Sequence, residues 1–153
     1  MTRSAIDFLK ALSRDQRGAV LVEFAMLAPA LLLLLIGVFQ VGVHVQNANA
    51  VRNLASDGAR WVAVQYQRGN SLTTEQVELG VMARGTGPKF NLKIDRLSVA
   101  VTQPVSRIAG VREMNIRITY AAPNFLGFAD VPALALDYER PVFLLIPAAP
   151  PAP

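Results

Sequence analysis

The chain has 153 residues, of which 52% are hydrophobic and 17% are charged, a composition typical of a small domain that carries a membrane-spanning segment. Its formal net charge of +4 is not gathered into a dense stripe of Lys and Arg, so we expect no nucleic-acid partner. The absence of cysteine excludes disulfides, Cys-ligated metals and thiol catalysis, and a single histidine excludes a multi-histidine metal site and a Ser/His/Asp set.

The first predicted element is an apolar helix over residues 19–45. Within this run Glu23 is the one residue that is certainly charged in water. At 1.5 Å per residue the run exceeds the ~20 residues that cross a bilayer. Arg14 and Arg17 precede it and an uncharged stretch follows, so we expect the N-terminus in the cytoplasm and the C-terminal domain outside. Gln40 and His44, one turn apart, indicate either a polar seam between subunits or the outer interface.

Two simpler interpretations of this segment stay open. A secretory signal peptide would place a cleavage site at Ala48-Asn49-Ala50, but its apolar region is usually only about 7–15 residues long. A plain single-pass anchor explains the length but not Glu23, because a carboxylate costs roughly 2.5–3.5 kcal/mol at the centre of a spanning helix. That cost falls near the interface, where Glu23 would simply stay hydrated.

The residues around Glu23 carry a family resemblance. Residues 17–25, Arg-Gly-Ala-Val-Leu-Val-Glu-Phe-Ala, with Pro29 and a leucine-rich stretch after them, resemble the N-terminus of TadE-like pseudopilins. These are minor pilin-like proteins of the tight-adherence (Flp-type) pilus systems of bacteria. The resemblance implies that a prepilin peptidase cuts between Gly18 and Ala19, so that Glu23 becomes the fifth residue of the mature chain. The amine freed at Ala19 then lies one helical turn from the carboxylate and pairs with it, or with that of a neighbouring subunit.

The same resemblance implies a function. The chain would be a minor pilin-like subunit that acts in pilus biogenesis and adhesion from the bacterial inner membrane. Its partners would be the membrane, the prepilin peptidase, other pilin-like subunits and the pilus assembly machinery, with no small-molecule substrate.

The apolar helix is predicted to continue beyond the membrane. Val51, Leu54, Gly58, Trp61 and Val62 fall on one helical face, which predicts packing against a sheet. Trp61 is therefore interpreted as a core residue and not as an interfacial anchor, because it lies too far along the helix from the apolar run.

A short second helix is predicted after the loop at 67–71. Thr73 and Gln76 have the spacing of a capping box, and Leu72 with Val77 has that of a hydrophobic staple. We expect this helix to end near Arg84, before a glycine-rich stretch.

Three antiparallel strands follow. Apolar and polar residues alternate over 90–94, the alternation shifts by one residue at Asp95-Arg96, and it resumes over 97–101. This pattern indicates either a bulged strand or a loop leading into a strand. The second strand covers 114–120 and is the most regular. The third covers 134–146, where Pro141 predicts an edge position or a bulge.

These elements predict an α+β, pilin-like fold: a long N-terminal transmembrane helix extending into a small domain with a short helix and a three-stranded antiparallel sheet. The predicted divisions are a cytoplasmic leader at 1–18, the spanning helix at 19–45, an extracytoplasmic domain at 46–146 and a mobile Pro/Ala-rich tail at 147–153.

No catalytic constellation is predicted. The carboxylates outside the membrane have no catalytic spacing, and Asp137 and Glu139 are interpreted as a solvated surface paired with Arg117 or Arg140. We therefore predict no enzyme, cofactor or metal. The main alternative is a permanently anchored extracytoplasmic binding module, and a further one is an envelope enzyme acting within a complex.

Overall fold

A computed structural model describes residues 16–145. Its helices are α1, Gln16–Gln67, and α2, Thr74–Gly85, and its strands are β1, Leu97–Thr102, β2, Val111–Ala121, and β3, Ala135–Leu145, with 3-10 turns at Ile94–Arg96 and Gly127–Ala129. This order confirms the predicted α+β class. The predicted tail at 147–153 and residues 1–15 of the predicted leader lie outside the described residues. The chain divides into two units, one up to Phe39 and one from Gln40 onward.

In the first unit the described chain is helical and its apolar side chains are exposed. Gly18–Gln67 is the one helix among the described residues that is long and apolar enough to cross a membrane. The most apolar window within it has no buried residue. A helix that is apolar all round is suited to lipid or to other apolar helices and not to water.

In the second unit, α1, α2 and the sheet share one hydrophobic core. Val51, Leu54 and Val62 of α1 are at most 1% exposed, as the predicted helical face requires. They belong to the same cluster as Val77 and Val81 of α2 and as three β2 residues, Met114, Ile116 and Ile118. The C-terminal part of α1 therefore covers the apolar face of the sheet, which confirms the predicted packing.

Helix α2 begins as the sequence predicts. The Thr73 hydroxyl accepts a hydrogen bond from the backbone N–H of Gln76 at 3.3 Å, and the Gln76 side chain accepts one from the Thr73 N–H at 3.0 Å. This reciprocal capping box satisfies two backbone donors that a helix start would otherwise leave unpaired.

The sheet has the order β1-β2-β3 with both pairs antiparallel. Pro141 lies on β3 opposite Asn115, and β3 is an edge strand, as predicted from the missing N–H of proline. The phase slip before β1 is resolved by the 3-10 turn Ile94–Arg96, so the loop interpretation is right and the bulged strand is not. Because of that turn, Leu92 is buried while Ile94 is exposed.

Candidate membrane and assembly segment

The three residues singled out for processing and assembly lie in the first turns of α1. Gly18 and Ala19 are exposed, and a Cβ built on Gly18 would meet no atom within 4 Å. Packing within the described residues therefore does not require a glycine at this position.

Glu23 follows Ala19 by four positions, the spacing that stacks two residues on one helix face. Its side chain is exposed, and no described residue forms a hydrogen bond or an ion pair with it. The structure therefore brings Ala19 and Glu23 together by helix geometry. The Glu23 carboxylate remains accessible to a group outside the described residues.

The surface around these residues is apolar. Every large apolar side chain that is exposed between Val20 and Phe39 has between 44% and 77% of its surface accessible. Hydrating such surface costs roughly 25 cal/mol per Å² relative to burial, so this segment needs a lipid or protein environment. Both a helix that spans a bilayer and a helix packed in a filament would provide such an apolar environment.

The second unit begins with a polar contact that the sequence did not predict. The Gln40 side-chain amide donates to the carbonyl of Pro123 at 2.8 Å, and its oxygen accepts from the backbone N–H of Phe125 at 2.8 Å. Gln40 thus holds the loop between β2 and β3 by two hydrogen bonds. The sequence interpretation offered only a polar seam or an interface marker, since a contact between positions so distant in sequence leaves no local signal.

The second unit also contains a buried carboxylate. Glu113 on β2 is 3% exposed, and the side chain of Arg107 binds it at 2.6 Å and 3.2 Å. These hydrogen bonds lower the pKa of Glu113 below its ordinary value, outweighing the opposite effect of burial. The arrangement is an ion pair that joins the connection between β1 and β2 to the start of β2.

The predicted salt-bridged surface is present on β2 and β3. Arg117 lies 2.8 Å from a Glu139 oxygen and 3.8 Å from an Asp137 oxygen, and all three side chains are largely solvated. No group of three or more His, Asp or Glu residues in the described part of the chain is arranged to hold a metal ion.

A single apolar N-terminal helix followed by a small α+β domain fits a membrane-anchored protein. Residues 18–60 match the model of the family described as TadE-like protein, so the resemblance carried by residues 17–25 is confirmed over this stretch. The match covers under a third of the chain and extends from Gly18 into the part of α1 that belongs to the second unit. The family suggests a pilin-like protein associated with a Tad pilus. No curated protein and no solved structure matches the chain.

Proposed function

We propose that the chain is a pilin-like subunit of a tight-adherence pilus assembly system and acts in pilus biogenesis and adhesion. It is held in the bacterial inner membrane by residues 19–45, with its outer domain extracytoplasmic. The observation that carries the proposal is the TadE-like family match over residues 18–60, which coincides with the exposed apolar helix. The partners are the lipid bilayer, other pilin-like subunits and the assembly machinery.

The proposal includes cleavage by a prepilin peptidase between Gly18 and Ala19. The observation that supports it is that the family match begins at Gly18, the residue before the proposed cut. Cleavage removes the basic residues before the apolar segment and creates an ammonium group at Ala19.

Glu23 is the residue that pairs with the ammonium group created at Ala19. An unpaired carboxylate within a spanning helix costs a few kcal/mol, and a carboxylate paired with an ammonium group one turn away avoids part of that cost. Pairing with the amine of a neighbouring subunit fixes the axial register between two helices, since the two charges must meet.

N-terminal sequencing of the protein purified from its native host tests the proposal. The mature chain is expected to begin at Ala19, and the protein to be recovered with sheared pili or with the pilus assembly complex. A chain that keeps residues 1–18, remains in the membrane after shearing and tolerates Glu23 substitution would contradict the proposal. Those results would favour the anchored binding module instead.

The secretory signal peptide interpretation is disfavoured by the packing of the second unit. Ala50 lies inside α1 and packs against the hydrophobic core, and Gln40 binds the loop between β2 and β3. Cleavage after Ala50 would remove Gln40 and both of its hydrogen bonds from the domain. We therefore propose that residues 40–50 remain in the mature protein.

A further inference from the structure

The loop that Gln40 holds carries an unusual share of exposed apolar surface. We call residues 122–134, between β2 and β3, the base loop. Four of its large apolar side chains are exposed: Phe125 by 42%, Phe128 by 70%, Val131 by 41% and Leu134 by 53%. Single exposed apolar residues are ordinary on a protein surface, but four within ten consecutive positions form a patch that needs an explanation.

The base loop is ordered by its own hydrogen bonds. The Asn124 side chain donates to the Val131 carbonyl at 2.8 Å and accepts from the Leu126 N–H at 3.1 Å. The 3-10 turn Gly127–Ala129 lies between these contacts. The exposed side chains are therefore displayed by a structured loop, and their exposure is built into the fold.

The position of the base loop is set by Gln40. This residue directly follows Phe39 in the chain, and its side chain binds the backbone of both Pro123 and Phe125. Residues 19–39 are by themselves long enough to cross about 30 Å of hydrocarbon at 1.5 Å per residue. Gln40, which is hydrogen-bonded to the base loop, is therefore the first residue after a segment long enough to span the bilayer.

The charge of the base loop also points to lipid. It contains no Lys or Arg, and Asp130 is its one charged residue. Electrostatic attraction to anionic headgroups is therefore not available, and any membrane contact must come from the apolar side chains. Aromatic and aliphatic groups presented on a polar backbone are the kind of surface that lies at the boundary between headgroups and acyl chains.

We propose that the base loop is a second membrane contact of the outer domain, with Phe128, Val131 and Leu134 seated in the interface of the bilayer that the N-terminal segment spans. This inference rests on the proposed membrane-spanning role of the N-terminal apolar segment, of which residues 19–39 suffice to cross the bilayer. The contact fixes the orientation of the outer domain on the membrane surface while the subunit waits for assembly. It has to be released when the subunit leaves the bilayer.

Single-cysteine labelling of the full chain tests the inference, because the chain has no cysteine of its own. We would attach an environment-sensitive fluorophore to Phe128→Cys, to Leu34→Cys in the apolar segment and to Val105→Cys in the β1–β2 hairpin. Val105 is the matched control, since it is an exposed apolar loop residue at 95% exposure. The proteins would be reconstituted in phosphatidylethanolamine/phosphatidylglycerol vesicles containing lipids with a quencher near the headgroup or near the end of the acyl chain.

Each outcome has a distinct meaning. We expect the label on Phe128→Cys to show blue-shifted emission and to be quenched by the headgroup quencher. The label on Leu34→Cys should be quenched by the quencher near the end of the acyl chain, and the label on Val105→Cys should show neither effect. Quenching at 34 but not at 128 would overturn the base-loop inference and leave the spanning segment intact. No quenching at 34 would overturn the membrane-spanning part of the proposed function.

A second copy of the chain is the other surface that this patch could contact. In that case the label at 128 would show self-quenching that rises with the protein-to-lipid ratio and no quenching by the labelled lipids, which would overturn the inference. Far-UV circular dichroism of each variant checks folding. Leu134→Cys provides a second label site in the same loop, for which the inference expects the same headgroup-level quenching.

Discussion

The ring of Trp61 on α1 occupies the space that a side chain on Gly80 of α2 would need. A Cβ at Gly80 would overlap the ring, with two ring atoms at 2.6 Å and 3.2 Å in addition to the closest one. Arg84 on the same helix lies over the ring at 4.5 Å from its centroid. The close approach of the two helices therefore depends on a glycine at this position, and Trp61 is a core-packing residue as the sequence indicated.

Gly80→Ala should destabilise the second unit despite the better helix propensity of alanine. The propensity gain is about 1 kcal/mol, whereas overpacking against a large ring typically costs about 1–3 kcal/mol, so the net effect is a loss of up to roughly 2 kcal/mol. Chemical denaturation followed by circular dichroism measures it. Gly80→Ala should cost less stability in the Trp61→Leu background than in the wild type, because the smaller side chain leaves room for the added Cβ. Additive effects of the two substitutions would contradict the contact.

Arg107→Met should change how stability depends on pH. Arg107 lowers the pKa of Glu113, so ionised Glu113 stabilises the fold above its unfolded pKa of about 4.3, and this stabilisation is lost as the pH falls through the lower folded pKa. The variant should be less stable than the wild type at neutral pH, because a buried carboxylate then lacks its partner. The difference in the free energy of unfolding between the wild type and the variant should become smaller as the pH falls below about 4.3.

Arg117→Met is the matched control for this pH experiment. Its carboxylate partners, Asp137 and Glu139, are 55% and 41% exposed, so the pairs are screened by solvent. We expect a much smaller loss of stability at neutral pH than for Arg107→Met. Equal losses from both variants would mean that the burial of Glu113 has no energetic weight.

Gln40→Ala should loosen the base loop without unfolding the domain. The substitution removes the acceptor of the Phe125 N–H, so hydrogen–deuterium exchange at Phe125 should become faster while the core strand β2 keeps its protection. Gln46→Ala is the control, since Gln46 is an exposed glutamine on the same helix with no hydrogen bond to the described chain. Unchanged exchange at Phe125 would show that Gln40 does not hold the loop.

Local patterns predicted much of this fold. The apolar face of α1, the capping box of Thr73 and Gln76, and the alternation in β2 depend on neighbours within a few residues, so the sequence displays them directly. The hydrogen bonds of Gln40 to the base loop join residues more than 80 positions apart, and the pairing of Arg107 with Glu113 depends on the path of the loop between them. No periodicity encodes such contacts. The 3-10 turn before β1 was only one of two alternatives, because a phase slip has the same appearance for a turn and a bulge.

Gly18→Val should block processing. A branched side chain at the residue before the cut hinders the peptidase, so the variant should accumulate as a precursor heavier by the mass of residues 1–18, about 2 kDa in a chain of 16.5 kDa. Gly37→Val is the matched control, because a Cβ at Gly37 also meets nothing within 4 Å. Intact-mass spectrometry of both proteins from the native host reads the result. A Gly18 variant processed like the control would contradict cleavage at this bond.

Glu23→Ala and Glu23→Gln should be cut normally but fail to assemble. Neither substitution touches the bond between Gly18 and Ala19, so intact mass should equal that of a chain beginning at Ala19. Both remove the negative charge that we propose pairs with the amine of a neighbouring subunit, and Glu23→Gln does so with almost no change of shape. Membrane insertion should be unchanged or improved, since a neutral side chain enters hydrocarbon at lower cost. The defect should therefore appear as protein retained in the membrane and missing from the sheared pilus or assembly-complex fraction. Wild-type recovery of the Glu23→Gln protein in that fraction would show that hydrogen bonding or shape, and not charge, is what position 23 contributes.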